Sequence, residues 1–299
     1  MQTAPPPCAA TEPDSTAQRW ELLRALGATV LTPPPGNAGP CAALGLPAHT
    51  GAEHTQVFVL SAPPHAAIHL GPEGMLGGEG LDRITGFWRV LGLTAPADAD
   101  HLGALLLLYA ELGEAECSAT EAKGRAQMRR ARTALFHEHL WSWAPGYLAA
   151  VADLQVESTT AWAQVTEQAL RAELADLGPA AVLALALRAA PAALEPTDSF
   201  EEILDALVAP VRSGMILTYP DLVACASAAG VGVRRGERRY ALKAMLQQNA
   251  PSTLGWLAAH ARRWSGRHRG ASAGHPQDAG AWWAARAGST ARTLDALAL

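Results

Sequence analysis

The stretch Leu135-Phe136-His137-Glu138-His139-Leu140-Trp141-Ser142-Trp143-Ala144-Pro145-Gly146-Tyr147-Leu148-Ala149-Ala150-Val151 sets the reading of the chain. Phe136, Leu140 and Trp143 recur at helical spacing, so the first part presents one apolar face. Pro145 lacks a backbone donor and restricts Ala144, so the helix stops or kinks there. Tyr147, Leu148 and Val151 open a second apolar face. The stretch predicts a helix, a corner crowded with aromatic rings, and a second helix. Such a corner is either a packing knot or the wall of a groove. Of the two tryptophans, Trp143 is expected to face inward and Trp141 to be the more exposed.

The same pattern extends both ways. Upstream, Leu102 to Leu112 is apolar nearly all round and is expected to be the central helix, with Asp98 or Asp100 as its N-cap. Before it, Leu81, Ile84, Phe87, Trp88 and Leu91 form one stripe that Gly92 terminates. Trp20, Leu23 and Leu26 give a short amphipathic helix. Val57-Phe58-Val59-Leu60 reads as strand or helix, and residues 63–80, dense in glycine and proline, read as an ordered surface loop. They lack the Lys-Ser/Thr that a phosphate loop requires. Downstream, helices are predicted over 121–144, 159–175, 200–208, 221–229, 238–248 and 252–264.

Composition agrees. The 299 residues are rich in alanine and leucine and poor in β-branched and aromatic types, which favours helix over sheet. A net charge of −5 argues against general affinity for nucleic acid. Cys8, Cys41, Cys117 and Cys225 show neither CxxC nor paired spacing, so no disulfide framework or zinc site is expected. The N-terminus carries no secretory pattern, and the run from Leu102 to Leu112 is too short to span a bilayer. A cytoplasmic protein without membrane insertion is expected. His137 and His139 lie two apart, on different sides of a helix, and HExxH is missing, so neither a metal centre nor an enzyme is expected. From Arg212 to Arg269 basic residues outnumber acids. That face either binds nucleic acid or, the reading preferred here, is solvated or pairs with the acidic body.

Three passages resemble the TorD/DmsD-like family of molybdoenzyme (redox enzyme maturation) chaperones. Asp100-His101-Leu102, followed by the apolar helix ending Leu108-Tyr109-Ala110-Glu111-Leu112, is similar to the family's E-P-x-D-H-L loop and its following helix. Phe136 to Tyr147 is similar to its F-x-x-H-L-x-x-W helix and corner. Phe87-Trp88-Arg89-Val90-Leu91 resembles its aromatic helix end before the Asp-His loop. The family's Glu and Pro fall here on Ala97 and Asp98. Glu195-Pro196-Thr197-Asp198 resembles the motif but has Ser199 where the histidine belongs.

The resemblance implies an all-α fold, a single multi-helix domain of the TorD-like type with an extra helical C-terminal extension. The expected division is a disordered tail over 1–18, a chaperone core over 19–210, a basic helical extension over 211–265 and a flexible tail over 266–299. It also implies a cytoplasmic chaperone, not an enzyme and without a cofactor of its own. Such a protein binds the twin-arginine leader or the apo form of a molybdopterin oxidoreductase and holds it for cofactor insertion. A homodimer is compatible with it. A leader's basic and apolar parts call for carboxylates beside an aromatic floor. The peptide site is therefore expected at Trp88, Leu91, Asp98, Asp100, His101, Tyr109, His139 and Trp143. Asp100 as a plain helix cap, and the aromatics as plain core, stand as the alternatives. A generic helical peptide-binding adaptor is the alternative function.

Overall fold

The aromatic corner is where two helical regimes meet. In the computed structural model, which describes residues 13–271 and 278–298, Leu135–Leu140 winds as a π-helix, and Trp141 to Trp143 form a turn. A new helix then starts with Pro145 in its first turn, where a missing N–H leaves no bond unmade. Trp143 is 2% exposed and Trp141 7%, so the inward position of Trp143 is observed, and Trp141 is only slightly more open.

Sixteen α-helices are found among the described residues. They are α1 (Pro13–Leu31), α2 (Ala38–Leu44), α3 (Gly51–His54), α4 (Ala66–Leu70), α5 (Gly78–Val90), α6 (Leu102–Ser118), α7 (Ala122–Ala134) and α8 (Ala144–Asp153). There follow α9 (Glu157–Leu177), α10 (Leu185–Arg188), α11 (Phe200–Val208), α12 (Pro210–Ser213), α13 (Tyr219–Ala229), α14 (Arg238–Gln248), α15 (Ala250–Ala271) and α16 (Ala279–Ala298). Thr55–Ser61 is a second π-helical turn, which resolves the apolar run at 57–60 as helix. No strand occurs among the described residues beyond an isolated bridge between His65 and His101. The all-α expectation holds.

α6 is the central helix, as its composition predicts, with Leu102, Leu105, Leu106, Leu108 and Tyr109 all buried. α1 crosses it at a glycine pair. A Cβ on Gly103 would lie 2.6 Å from the Gly27 carbonyl oxygen, and one on Gly27 would lie 2.8 Å from that of Gly103. Backbone meets backbone there and cannot step aside. Gly103→Ala is expected to force the helices apart and cost about 1–3 kcal/mol, the usual range for overpacking. Urea denaturation measures it, and a loss below about 0.5 kcal/mol would show that the crossing has slack.

Two apolar clusters fill the molecule. The first runs from Trp20 to Leu187 and takes in Trp283. The second gathers Leu194, Leu204, Leu207, Leu222, Leu242, Met245, Leu257, Trp264, Ala287 and Leu294. Three expectations change accordingly. The tail expected over 1–18 is helical from Pro13 onward, and residues 1–12 lie outside the described residues. The surface loop expected over 63–80 contains α4, which is buried along its whole length. The flexible tail expected over 266–299 is helical where described: α15 continues to Ala271, and α16 packs along it. Residues 272–277 and 299 lie outside the described residues. Small residues explain this last difference. Ala284, Ala287 and Ala291 let α16 approach α15 closely, a face that a hydrophobicity pattern weighs too lightly.

Many of the basic residues of the last third turn out to be paired. Arg239 bonds Asp205 and Glu201, Lys243 bonds Glu201, Arg262 bonds Asp295, and Arg267 bonds Asp153. The last pair ties α15 to α8.

Candidate functional site

Asp100 and His101 do not cap in the way the sequence suggests. The N-cap of α6 is His101, whose Nδ1 accepts the Gly103 N–H at 3.0 Å. Asp100 caps a different helix: its Oδ2 accepts the Ala67 N–H, in the first turn of α4, at 2.9 Å. Its Oδ1 lies 3.2 Å from His65 Nδ1. Main-chain bonds complete the clasp, from Ala66 N–H to the Asp100 carbonyl at 3.0 Å and from Leu102 N–H to the Pro64 carbonyl at 2.7 Å. Two helices that begin at Ala66 and Leu102, far apart in sequence, thus start from one junction. The reason is local: α4 has no capping side chain of its own, and an orphan N–H in a buried first turn needs an acceptor from elsewhere.

The electrostatics follow from burial. Asp100 is 2% exposed, and burial alone would raise its pKa. The bonds from His65 and from the Ala67 N–H prevail and hold the carboxyl below its ordinary range. Burial, then His65, pushes His101 down to about 4. With Nδ1 accepting from Gly103, its proton sits on Nε2.

Around this junction the expected site residues separate into three groups. Trp88, Leu91 and Asp98 border the linker ahead of α6. Trp88 is half-buried and donates its indole N–H to the Ala99 carbonyl at 3.4 Å, Leu91 is half-buried, and Asp98 is exposed. Beside them Val90 is 85% exposed. His139 and Trp143 lie behind the junction, inside. The Trp143 indole N–H donates to the His139 carbonyl at 2.7 Å, and its ring stacks on His69 of α4 with centroids 4.9 Å apart. His139 packs against Phe87 of α5, and burial lowers its pKa to about 4. Tyr109 belongs elsewhere. It is fully buried in an ion network, donating to Glu173 Oε2 at 2.5 Å and accepting from Arg132 Nη1 at 2.8 Å. Asp100, His139, Trp143 and Tyr109 therefore hold positions rather than present surface, while Trp88, Leu91 and Asp98 are open to solvent to differing degrees.

The opposite side of the corner carries a feature that the sequence reading missed. His137 and Trp141, four residues apart, form one wall of a cavity of about 460 Å³. Leu174 and Ala175 of α9, with Pro179 and Leu183 of the following segment, form the other. Trp141 is stacked on Phe136, which fixes its ring, and the Arg171 guanidinium lies 5.9 Å from the Trp141 centroid. Arg171 is anchored by Glu167 at 2.7 Å. Burial lowers the pKa of His137. The cavity is mostly apolar, with Arg171 and Asp278 as the charged residues of its lining, the chemistry that receives an apolar or aromatic side chain of a partner. The i, i+4 spacing of His137 and Trp141 was legible, but the facing wall comes from a later stretch, distant in sequence and without a motif of its own.

Among the described residues no group of three or more His, Cys, Asp or Glu side chains is placed to hold a metal ion. None of the described helices is long and apolar enough to cross a membrane.

Against known proteins, residues 47–149 match the family model described as nitrate reductase delta subunit, over about a third of the 299-residue chain. That family is one of molybdoenzyme maturation chaperones, which are not catalysts. The matched stretch spans the Asp100 clasp, α6 and the aromatic corner, so the resemblance to TorD-like chaperones read from the sequence is borne out there. No curated protein matches the chain.

Proposed function

From the match of residues 47–149 to a family of molybdoenzyme maturation chaperones, we propose that this protein is a cytoplasmic chaperone for a molybdopterin oxidoreductase. It binds the client's twin-arginine leader, its apo form, or both, and holds it until the cofactor is inserted. The family match carries the proposal, and two local features support it. The exposed Asp98 beside half-buried Trp88 and Leu91 offers a carboxylate and an apolar floor to a basic, partly apolar peptide. The Trp141 cavity offers a second receptive place for an apolar residue of the client.

Calorimetry with a twin-arginine leader peptide from a molybdoenzyme of the same organism tests the proposal. Micromolar or tighter binding is expected, lost when both leader arginines become alanine. Asp98→Ala is expected to weaken it about tenfold, roughly 1.4 kcal/mol, without shifting the melting temperature, because Asp98 is exposed. Ala175→Trp, which fills the cavity from an exposed position, separates the two places. If it alone weakens binding, the cavity and not the Asp98 surface receives the leader. A folded protein that binds neither the leader nor the apo client would sink the chaperone reading.

A further inference from the structure

We infer that a second site, distinct from the client-binding surface, binds a phosphate-bearing small molecule in the cleft between residues 72–75, α11–α12 and the start of α14. The cleft is about 540 Å³, room for a phosphate and an attached body. Arg212 and Arg238 line it, and neither has a carboxylate within ion-pair distance among the described residues. Arg212 Nε is buried without any hydrogen-bond partner. Arg238 spends one donor on the Leu217 carbonyl, at 2.8 Å; burial lowers its pKa, and Glu237 only partly offsets that. Both side chains are half-buried and keep donors unspent, which the oxygens of an incoming anion engage.

No carboxylate bonds either guanidinium directly, although Glu237 acts on Arg238 and Glu202 on Arg212 through space. Asp205 is taken by Arg239. Glu73 folds back over its own loop, with Oε2 3.9 Å from where a Cβ on Gly71 or Gly78 would stand. Glu237 stands at the N-cap of α14, where it is exposed and makes no side-chain capping bond. The first turn of α14 contains no acidic residue and carries Arg238. The cleft wall is also fixed. Gly74 has φ +63°, and a Cβ there would lie 2.7 Å from Ala209 Cα, so the loop tip is pressed onto the beginning of α12. Two guanidinium groups, one from α12 and one from the start of α14, suit the oxygens of a tetrahedral phosphate better than a planar carboxylate, which one fork would satisfy.

The test is calorimetry of the full chain with pyrophosphate and with inorganic phosphate, at constant ionic strength set by chloride. Saturable binding of pyrophosphate is expected. Arg212→Gln is expected to weaken it at least about tenfold, roughly 1.4 kcal/mol, while Arg262→Gln, whose partner Asp295 lies elsewhere, leaves it unchanged. Should Arg212→Gln fail to fold, Arg212→Lys carries the comparison. It keeps the charge, lacks the Nε donor, and is also expected to weaken binding. No saturable binding, or equal affinity in the Arg212 variants, would overturn the inference. Leader binding is measured in the same samples, so the outcome here is independent of the chaperone proposal.

Discussion

Arg132→Met is expected to destabilise the fold by about 3–5 kcal/mol, the cost of removing one partner from a buried ionic network. Arg132 is 3% exposed in its side chain and Glu173 2%. Its Nε reaches Glu116 at 2.8 Å, its Nη1 reaches Glu173 at 3.2 Å and the Tyr109 hydroxyl at 2.8 Å, and its Nη2 reaches Asp176 at 3.4 Å. Arg19 bonds Glu173 and Asp176 from the other side. One guanidinium thus joins α6, α7 and α9, and the shared carboxylates bring in α1. Methionine keeps much of the volume but leaves Glu173 and Glu116 buried with less compensating charge. The double variant Arg132→Met/Glu173→Met is expected to recover part of the loss, since it removes charges from both sides. Arg171→Met, in an exposed i, i+4 pair, is expected to cost under about 1 kcal/mol. Urea denaturation measures all three, and a loss for Arg132→Met no larger than that for Arg171→Met would mean the network is not tight.

The second large effect is acid lability. Burial lowers His101, His139 and His268 to about 4 and His69 to about 3, from an ordinary 6.5. The groups facing them do not reverse this. Asp100 partly offsets the shift at His69 and His101, His65 adds to it at both, Arg238 adds at His69, Arg83 at His139, and Arg267 at His268. In the window between 6.5 and about 4 the unfolded chain binds protons that the folded chain refuses. The stability these histidines contribute is therefore complete above 6.5 and is lost as pH falls through the window. One histidine shifted to about 4 represents roughly 3 kcal/mol when the loss is complete. Several together match the whole stability of an ordinary domain, about 5–15 kcal/mol. The melting temperature is expected to fall steeply from neutral pH toward pH 5, above the range where carboxylates titrate. A flat profile there would show that the four rings are hydrated in solution. His101→Gln, which removes one of them, is expected to make the decline shallower.

The helical class, the order of helices around the corner and the central place of α6 were written in the sequence. Each rests on local periodicity and on Pro145 and Gly92, which act through their own backbone. The family likeness was also legible, because it is carried by short ordered motifs inside 47–149. What the side chains of those motifs do was not. Asp100 reads as a cap for the helix that follows it in sequence, and only the fold brings the uncapped start of α4 within reach. Tyr109 reads as groove lining, and only the packing of α9 supplies Glu173 as its partner, 64 residues away. The C-terminal stretch reads as a tail because alanine carries little hydrophobic signal, yet α16 needs just such small residues to lie against α15. Short-range patterning fixes which segments are helices and which faces are apolar. Which polar group meets which across the core depends on contacts between residues far apart, and only the tertiary structure decides those.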